Sequence, residues 1–180
     1  MLLHESKSGK MYSIDYGPRA AMSAWDTMYQ LDDKQSSPYI GLGGVKHQEN
    51  VRGYRSVGVP GVVAGLCYAL GRFGTLPLSE VLQPAIHYAR YGFRTNWHTT
   101  LTIASCMDLL MNNVAAATTY LPNHRPPSHW PSPEMFKQSH LADVLEILAK
   151  KGADVFYKGE IAASIGDEFA RNSGLLSSKS

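Results

Sequence analysis

Apolar and polar residues alternate at the start of the chain in the pattern of two short strands. Two apolar runs within residues 1–16 flank a polar segment that contains Ser8 and Gly9. Glycine adopts a positive φ at little cost, so this segment is suited to a tight turn. We therefore predict a β-hairpin over 1–16. Because an isolated hairpin is only marginally stable in water, we expect it to pair with strands outside this sequence.

Helical spacing of apolar residues dominates the rest of the chain, and we expect 57–176 to be mainly helical. The first of these helices places apolar residues every three or four positions from Val62 to Phe73. Pro60 fits its first turn, where a missing N–H does no harm, and Gly74 fits its end.

Further helices are predicted by the same spacing and by residues suited to helix ends. The second is expected to break at Pro84, since proline has no amide hydrogen to donate within a helix. The third is expected to be capped by Asn96, whose side chain can accept from a free amide of the first turn. The predicted helices run from near Pro77 to Gly92, from Asn96 to about Met111, from Ser139 to Gly152, and through Ile161, Ile165 and Phe169 to Gly174.

Two segments lack a periodic apolar face. Residues 32–55 are polar and rich in glycine, and residues 122–133 are rich in proline. We predict loops for both, and one short helical turn over 26–31. A loop as long as 32–55 is uncommon in a compact domain unless it has a function of its own.

Composition indicates a globular protein and excludes several classes of partner. The 180 residues are 44% hydrophobic and 18% charged, with a net charge of +2. Basic residues are scattered, so we expect no nucleic acid partner. Cys67 and Cys106 lie among small or apolar neighbours and are expected to be free, buried thiols, since two cysteines form no disulfide framework. The first residues do not form a signal peptide.

Local motifs for common chemistries are weak in this chain. The stretch 57–65 is glycine-rich and opens a helix, but Pro60 removes an amide that a phosphate site would use. The alternative is a turn that allows close helix packing. The histidines, including His124 and His129, have no Cys or carboxylate partner at ligand spacing, so no metal site is predicted. A Ser-His-Asp triad is not local in sequence and stays open.

Four segments in order resemble the gamma-glutamyltransferase family of N-terminal-nucleophile hydrolases. The hairpin 1–16 resembles the family's FML and IDYRE.AP region, and SVGVPGVVAG at 56–65 resembles VGVPGTVAG. Residues 68–93 are similar to LALEKYGTLPLAEVLAPAIRLAEEGF, and 152–176 to GADAFYRGEIAEAI followed by NGGLLT. Together they cover nearly the whole chain.

The resemblance implies an α+β fold, part of a four-layer αββα sandwich, here a hairpin followed by a mostly helical layer. It also implies a precursor that cuts itself into a large and a small subunit, and no cofactor. The threonine that opens the small subunit would attack gamma-glutamyl amides such as glutathione, with its own α-amine as base. This chain would be the middle of the large subunit, without a catalytic residue of its own. Family members are often exported, which implies an extracellular or periplasmic location.

One residue departs from the family pattern. In the family an arginine follows the IDY strand and binds the α-carboxylate of the glutamyl group, a role that suits a forked guanidinium. Here that position is Gly17, and the nearest cation is Arg19. We expect Arg19 to be a substrate-binding residue, with an ordinary surface arginine as the alternative.

The substitution at Gly17 leaves three functional classes open. The first is acyl transfer or hydrolysis of gamma-glutamyl amides, or a related amidase or acylase activity. The second is a non-catalytic homologue that serves as a binding module. The third is a helical interaction domain unrelated to the family. The first two are distinguished by whether a threonine opens a small subunit encoded downstream.

Overall fold

The structure, a computed structural model, describes residues 1–32, 34 and 43–178. Helices dominate these residues, and the strands form two antiparallel pairs. The strands are β1 (Leu2–Glu5), β2 (Lys10–Ser13), β3 (Phe93–Arg94) and β4 (Met135–Phe136). The helices are α1 (Val62–Phe73), α2 (Leu78–Val81), α3 (Gln83–Tyr91), α4 (Trp97–Ser105), α5 (Met107–Met111), α6 (Val114–Tyr120), α7 (Ser139–Lys151), α8 (Asp154–Tyr157) and α9 (Glu160–Arg171).

The chain divides into two compact units. The first consists of Met1–Leu76 and Lys151–Ser180, and the second of Pro77–Lys150. The two ends of the chain therefore belong to one unit, so residues far apart in sequence can contribute to the same site.

The predicted hairpin opens the first unit. Strands β1 and β2 pair with Leu3 opposite Tyr12, and the turn contains Gly9 at φ +69°. Large apolar side chains remain uncovered on it, with Leu2 77% and Met11 65% exposed. The ring of Tyr12 lies 4.9 Å from that of Phe73, which attaches the hairpin to the end of α1.

Helix α1 differs in one detail from the prediction. It begins at Val62 with Gly61 as its N-cap, so Pro60 lies before the helix and not in its first turn. The reason is that Val59 pairs with Arg19 as an isolated antiparallel bridge, which keeps the chain extended up to the proline. Gly74 is the C-cap, as predicted, with an extended backbone at φ −79° and ψ 161°.

The segment before α1 contains turns in its described part. The helical turn predicted over 26–31 is wrong, because no helix forms there. The amide of Met28 donates to the carbonyl oxygen of Trp25, which forms one hydrogen-bonded turn. Of the predicted loop 32–55, residues 33 and 35–42 lie outside the described residues. In the remainder Val45 pairs with Leu31, and a 3-10 turn spans Lys46–Gln48.

The second unit is built from α2 to α6, most of α7, and the β3–β4 pair. Its core contains Ile103, Leu121 and Phe136, against which Tyr120 packs. The predicted break near Pro84 is present between α2 and α3. Asn96 caps α4 through its Oδ1, 2.9 Å from the amide of Thr99, but the helix predicted to continue to Met111 is interrupted at Cys106.

A proline-rich loop in the second unit is fixed by a pair of charged residues. The guanidinium of Arg125 binds both carboxylate oxygens of Glu134, at 3.0 and 2.6 Å, and the amide of Ser128 donates to the same carboxylate at 2.7 Å. These donors hold the pKa of Glu134 at about 2, below its usual 4.5, and the bond from Arg125 is the larger cause. The loop predicted from its prolines is therefore ordered by side-chain contacts.

Candidate functional site

A cavity of about 650 Å³ lies in the first unit, where the hairpin ends and α1 begins. It is open to solvent and mainly apolar. Its walls come from three parts of the chain: residues 13–19, the start of α1, and α8. The residues that define it below are Tyr16, Gly17, Arg19, Tyr68 and Tyr157.

The segment that leaves β2 is turned by its own side chain. Asp15 Oδ1 accepts a hydrogen bond from the amide of Gly17 at 3.0 Å, which is a local Asx turn. Two residues later the backbone of Arg19 pairs with Val59: Arg19 N donates to Val59 O at 3.2 Å, and Val59 N to Arg19 O at 2.7 Å. The segment 16–19 is therefore fixed at both ends.

Three glycines let this segment lie against the start of α1. A Cβ at Gly58 would stand 2.8 Å from the carbonyl oxygen of Arg19, and one at Gly61 would stand 2.4 Å from that of Tyr16. A Cβ at Gly65 would stand 2.4 Å from the Cβ and Cγ atoms of Tyr16. The glycine-rich stretch predicted to open a helix thus serves close packing of backbone, the alternative to a phosphate loop.

Tyr157, from α8, joins the start of α1 to the same cavity. Its hydroxyl donates to the carbonyl oxygen of Pro60 at 2.8 Å and accepts from the amide of Ala64 at 3.0 Å. The amide of Ala64 is one of the first-turn donors that a helix cannot satisfy internally. A side chain more than 90 residues away in sequence thus caps α1 and closes one wall of the cavity.

Arg19 is the cation of this cavity. Its side chain is exposed, and its guanidinium makes no hydrogen bond or ion pair with the rest of the chain that the structure describes. Gly17 lies in the same wall, so the residue predicted to bind substrate and the position where the family has arginine are side by side. The structure leaves the five N–H groups of Arg19 available to an anionic group.

Tyr68 faces the cavity from α1. Its hydroxyl accepts a hydrogen bond from Arg72 at 2.7 Å, and the guanidinium of Arg72 also lies 5.2 Å from the ring centre of Tyr12. The hydrogen bond to Tyr68 is the main reason that the pKa of Arg72 is raised. Arg72 is thereby engaged by the aromatic side chains around it, whereas Arg19 is not.

Sequence reasoning from the residues alone did not identify Tyr68 or Tyr157. Neither belongs to a local motif of polar residues, and each acquires its role from contacts with distant backbone or with a neighbouring turn. The available signal for Tyr157 was indirect, because it lies in the segment 152–176 that resembles the family.

The other candidate chemistries can be placed as well. The described residues contain no group of three or more His, Cys, Asp or Glu side chains close enough to hold a metal ion. Both cysteines are free, as predicted, but Cys106 is exposed, so its predicted burial is wrong. Partial burial raises the pKa of the Cys67 thiol. Among the helices described, none has the length and apolar character needed to cross a membrane.

Comparisons with known proteins identify the family of these segments. The family model for Gamma-glutamyltranspeptidase matches residues 1–179. The glutathione hydrolase proenzyme of Escherichia coli (strain K12) is 34% identical over an alignment of 184 positions, which covers 97% of this chain and 28% of that protein. The Acylase ACY 1 proenzyme of Pseudomonas sp. (strain SE83) is 38% identical over 132 residues, 73% of this chain and 23% of that protein.

A solved structure shares the fold. The crystal structure of Helicobacter pylori gamma-glutamyltranspeptidase superimposes with a TM-score of 0.86 at 25% identity, covering 99% of this chain and 48% of that chain. The predicted α+β class, within the architecture of an N-terminal-nucleophile hydrolase, is therefore confirmed. This chain spans from 23% to 48% of the length of these three relatives.

Proposed function

Because this chain belongs to the gamma-glutamyltranspeptidase family, we propose that the protein containing it transfers or hydrolyses gamma-glutamyl amides such as glutathione. The observation that carries the proposal is the cavity at the end of the hairpin, where Arg19, unpaired among the described residues, lies beside the family's glycine-rich stretch. Relatives named glutathione hydrolase proenzyme over nearly the whole chain support the same activity.

The nucleophile is proposed to be a threonine outside these 180 residues. An N-terminal threonine combines a hydroxyl nucleophile with its own α-amine as base. Its hydroxyl oxygen attacks the gamma-glutamyl carbonyl and the amine leaves, which gives an acyl-enzyme. Water or the amine of an amino acid then takes the acyl group. In this scheme the 180 residues supply substrate binding, and no cofactor is required.

Arg19 is proposed to bind the α-carboxylate of the substrate. A carboxylate that enters a partly desolvated cavity needs a charged hydrogen-bond partner. Arg19 lies on the cavity wall with its guanidinium unpaired among the described residues, and its backbone is held in place by Val59. At Gly17, where the family has arginine, there is no side chain to compete with it.

The proposed partner is a small subunit produced from the same precursor. The matched relatives are named proenzymes, which supports maturation by cleavage into two chains. The exposed apolar residues Leu2 and Met11 of the hairpin are consistent with burial against further strands of the mature enzyme.

A related amidase or acylase activity is the second candidate. It is favoured by the glycine at position 17, because this chain lacks, at that position, the arginine with which the family binds the substrate's α-carboxylate. The similarity to an acylase proenzyme points the same way. A non-catalytic binding module remains the third candidate.

The experiment uses the complete gene product that contains this chain. Release of p-nitroaniline is measured from L-γ-glutamyl-p-nitroanilide and from 4-aminobutyryl-p-nitroanilide, which lacks the α-carboxylate. We expect cleavage into two chains and turnover of the first substrate only. The control replaces the threonine that opens the smaller chain, identified by N-terminal sequencing, with alanine.

Each alternative has its own outcome in this assay. Equal turnover of both substrates would identify an amidase that does not recognise the carboxylate. An unprocessed protein that turns over neither substrate would identify a non-catalytic homologue. Turnover by the 180-residue chain alone, above a heat-inactivated sample, would contradict the proposal that its nucleophile lies elsewhere.

A further inference from the structure

The start of α1 is tied to the C-terminal part of the first unit by one phenol hydroxyl. Tyr157 Oη lies 2.8 Å from Pro60 O and 3.0 Å from Ala64 N, so it uses both its donor and one acceptor site. Pro60 follows Val59, whose backbone forms two hydrogen bonds with Arg19. A continuous path of hydrogen bonds and one peptide link therefore connects Tyr157 to Arg19.

From this path we propose that Tyr157 is a positioning residue. It fixes the segment 16–19 and thereby sets the direction in which the Arg19 side chain extends from the cavity wall. The proposal rests on the proposed function insofar as Arg19 is taken to bind substrate. Tyr157 is half-buried and lines the cavity, yet both hydrogen bonds of its hydroxyl among the described residues are to backbone atoms. It therefore acts through Arg19 and is not assigned a contact with the reacting atoms.

Few other contacts among the described residues could fix the segment 16–19 against the start of α1. Pro60 has no amide hydrogen, so its residue contributes to the network only through the carbonyl oxygen that Tyr157 binds. The glycines at 58, 61 and 65 allow close approach of the two segments but donate no side-chain bond that would hold them there. Among the hydrogen bonds described, the two Arg19–Val59 bonds alone join segment 16–19 directly to the residues before α1, and the Tyr157 hydroxyl in turn holds those residues to α8.

The test compares Tyr157→Phe with the wild type in the full-length, processed protein. Phenylalanine keeps the ring in the wall and removes only the hydroxyl. The matched control is Tyr120→Phe, which removes a hydroxyl that accepts from Gln138 Nε2 at 3.3 Å in the second unit. Two readouts are taken: steady-state kinetics on L-γ-glutamyl-p-nitroanilide, and hydrogen exchange by mass spectrometry on peptides covering 16–20 and 57–62.

We expect Tyr157→Phe to raise KM about tenfold, which is the effect of one or two lost hydrogen bonds, with kcat within about twofold. Exchange at Arg19 and Val59 is expected to become faster, because their mutual bonds lose support. The Tyr120→Phe protein should match the wild type in both readouts. A purely structural role for Tyr157 would lower thermal stability and leave KM unchanged.

The outcomes separate this inference from the proposed function. If the wild type turns over the substrate, and either KM or exchange in Tyr157→Phe stays at the wild-type value, the positioning role is overturned while the function stands. If the wild type turns over no gamma-glutamyl substrate, the proposed function fails. Exchange at Arg19 and Val59 then decides by itself whether Tyr157 positions the segment.

Discussion

The backbone of Gly65 lies directly against the side chain of Tyr16. A Cβ atom at Gly65 would stand 2.4 Å from both Cβ and Cγ of Tyr16, closer than such atoms approach in proteins. The Cβ atom of Tyr16 is fixed by the backbone and cannot move away by a change of rotamer. The contact places the first helix against the segment that follows β2 and lines the cavity.

Gly65→Ala should therefore destabilise the protein by about 1–3 kcal/mol, the usual range for an overpacked interior. Urea denaturation of the full-length protein measures it. The control is Gly71→Ala in the same helix, where a Cβ would meet nothing within 4 Å. Since alanine is the better helix former, Gly71→Ala should be neutral or stabilising by up to about 1 kcal/mol. Equal effects at the two positions would show that the contact at Tyr16 does not limit the site.

Arg19→Ala should reduce kcat/KM for L-γ-glutamyl-p-nitroanilide by roughly 30- to 1000-fold, about 2–4 kcal/mol, because a carboxylate would lose its charged partner. Arg19→Lys should restore only part of the rate, since an ammonium cannot form the two parallel bonds of a guanidinium. Arg94→Ala, at an exposed arginine of the second unit, serves as the control. Arg19→Ala kinetics within a few-fold of wild type would end the proposed role.

A second variant tests the same role from the neighbouring position. A Cβ at Gly17 would meet only Asp15 Oδ1, at 3.5 Å, so the position accepts a side chain. Gly17→Arg in the Arg19→Ala background should recover activity on the gamma-glutamyl substrate if the carboxylate binds at this wall. No gain on this substrate, in a protein that remains folded by circular dichroism, would place the carboxylate elsewhere.

Glu134 should make the stability of the protein depend on acid pH. Its pKa is about 2 in the folded protein, below the ordinary 4.5, chiefly because of its hydrogen bond with Arg125. A lowered pKa favours the folded state above about pH 4.5, and that contribution is lost as the pH falls from 4.5 towards 2.

The prediction for Glu134→Gln is therefore a melting temperature below that of the wild type at pH 7, with a difference that shrinks between pH 4.5 and 2. The ion pair is partly exposed, so the difference should be small and should decrease with added salt. Glu80→Gln, at an exposed glutamate of α2, is the control. A difference that is constant from pH 7 to pH 2 would contradict the assignment.

Arg55 should stabilise the conformation of residues 44–56, the segment that precedes α1. Its guanidinium donates to Glu49 Oε2 at 2.9 Å and to Met28 O at 2.5 Å, and its own carbonyl oxygen accepts from the hydroxyl of Tyr29 at 2.8 Å. Arg55→Lys keeps the charge but cannot reach both acceptors in the same geometry. We expect faster hydrogen exchange in peptides covering 44–56.

The control for this prediction is Arg52→Lys, at an exposed arginine of the same segment. It should leave exchange unchanged. Should the Arg55→Lys protein exchange as slowly as the Arg52→Lys protein, the segment is held by bonds other than those of the Arg55 guanidinium, such as that between Lys46 N and Gln30 O at 2.9 Å.

Sequence alone determined the features that depend on neighbouring residues. Gly9 in the hairpin turn, the cap of α4 by Asn96 and the end of α1 at Gly74 were all predicted from local chemistry. Each involves atoms only a few residues apart, so the residue types themselves specify the contact. Ordered similarity over the whole chain likewise identified the family without any geometry.

Helix α6 marks the limit of local prediction. Its N-cap is Asn113, whose Oδ1 accepts from the amide of Ala116 at 2.9 Å, and asparagine is a residue type that favours this position. The short apolar stretch that follows has no extended helical periodicity, so the pattern did not assign it. Tyr120, at the end of α6, and the next residue, Leu121, pack in and around the core with Phe136, a contact made by tertiary structure.

The cavity was decided by tertiary structure. Pairing of Val59 with Arg19 moved Pro60 out of the helix, and the hydroxyl of Tyr157 reached Pro60 across 97 positions of sequence. Periodicity and capping describe interactions within one turn or one hairpin, whereas these contacts require distant segments to fold together first. The sequence therefore determined which residues could form the site, and long-range packing decided which of them meet.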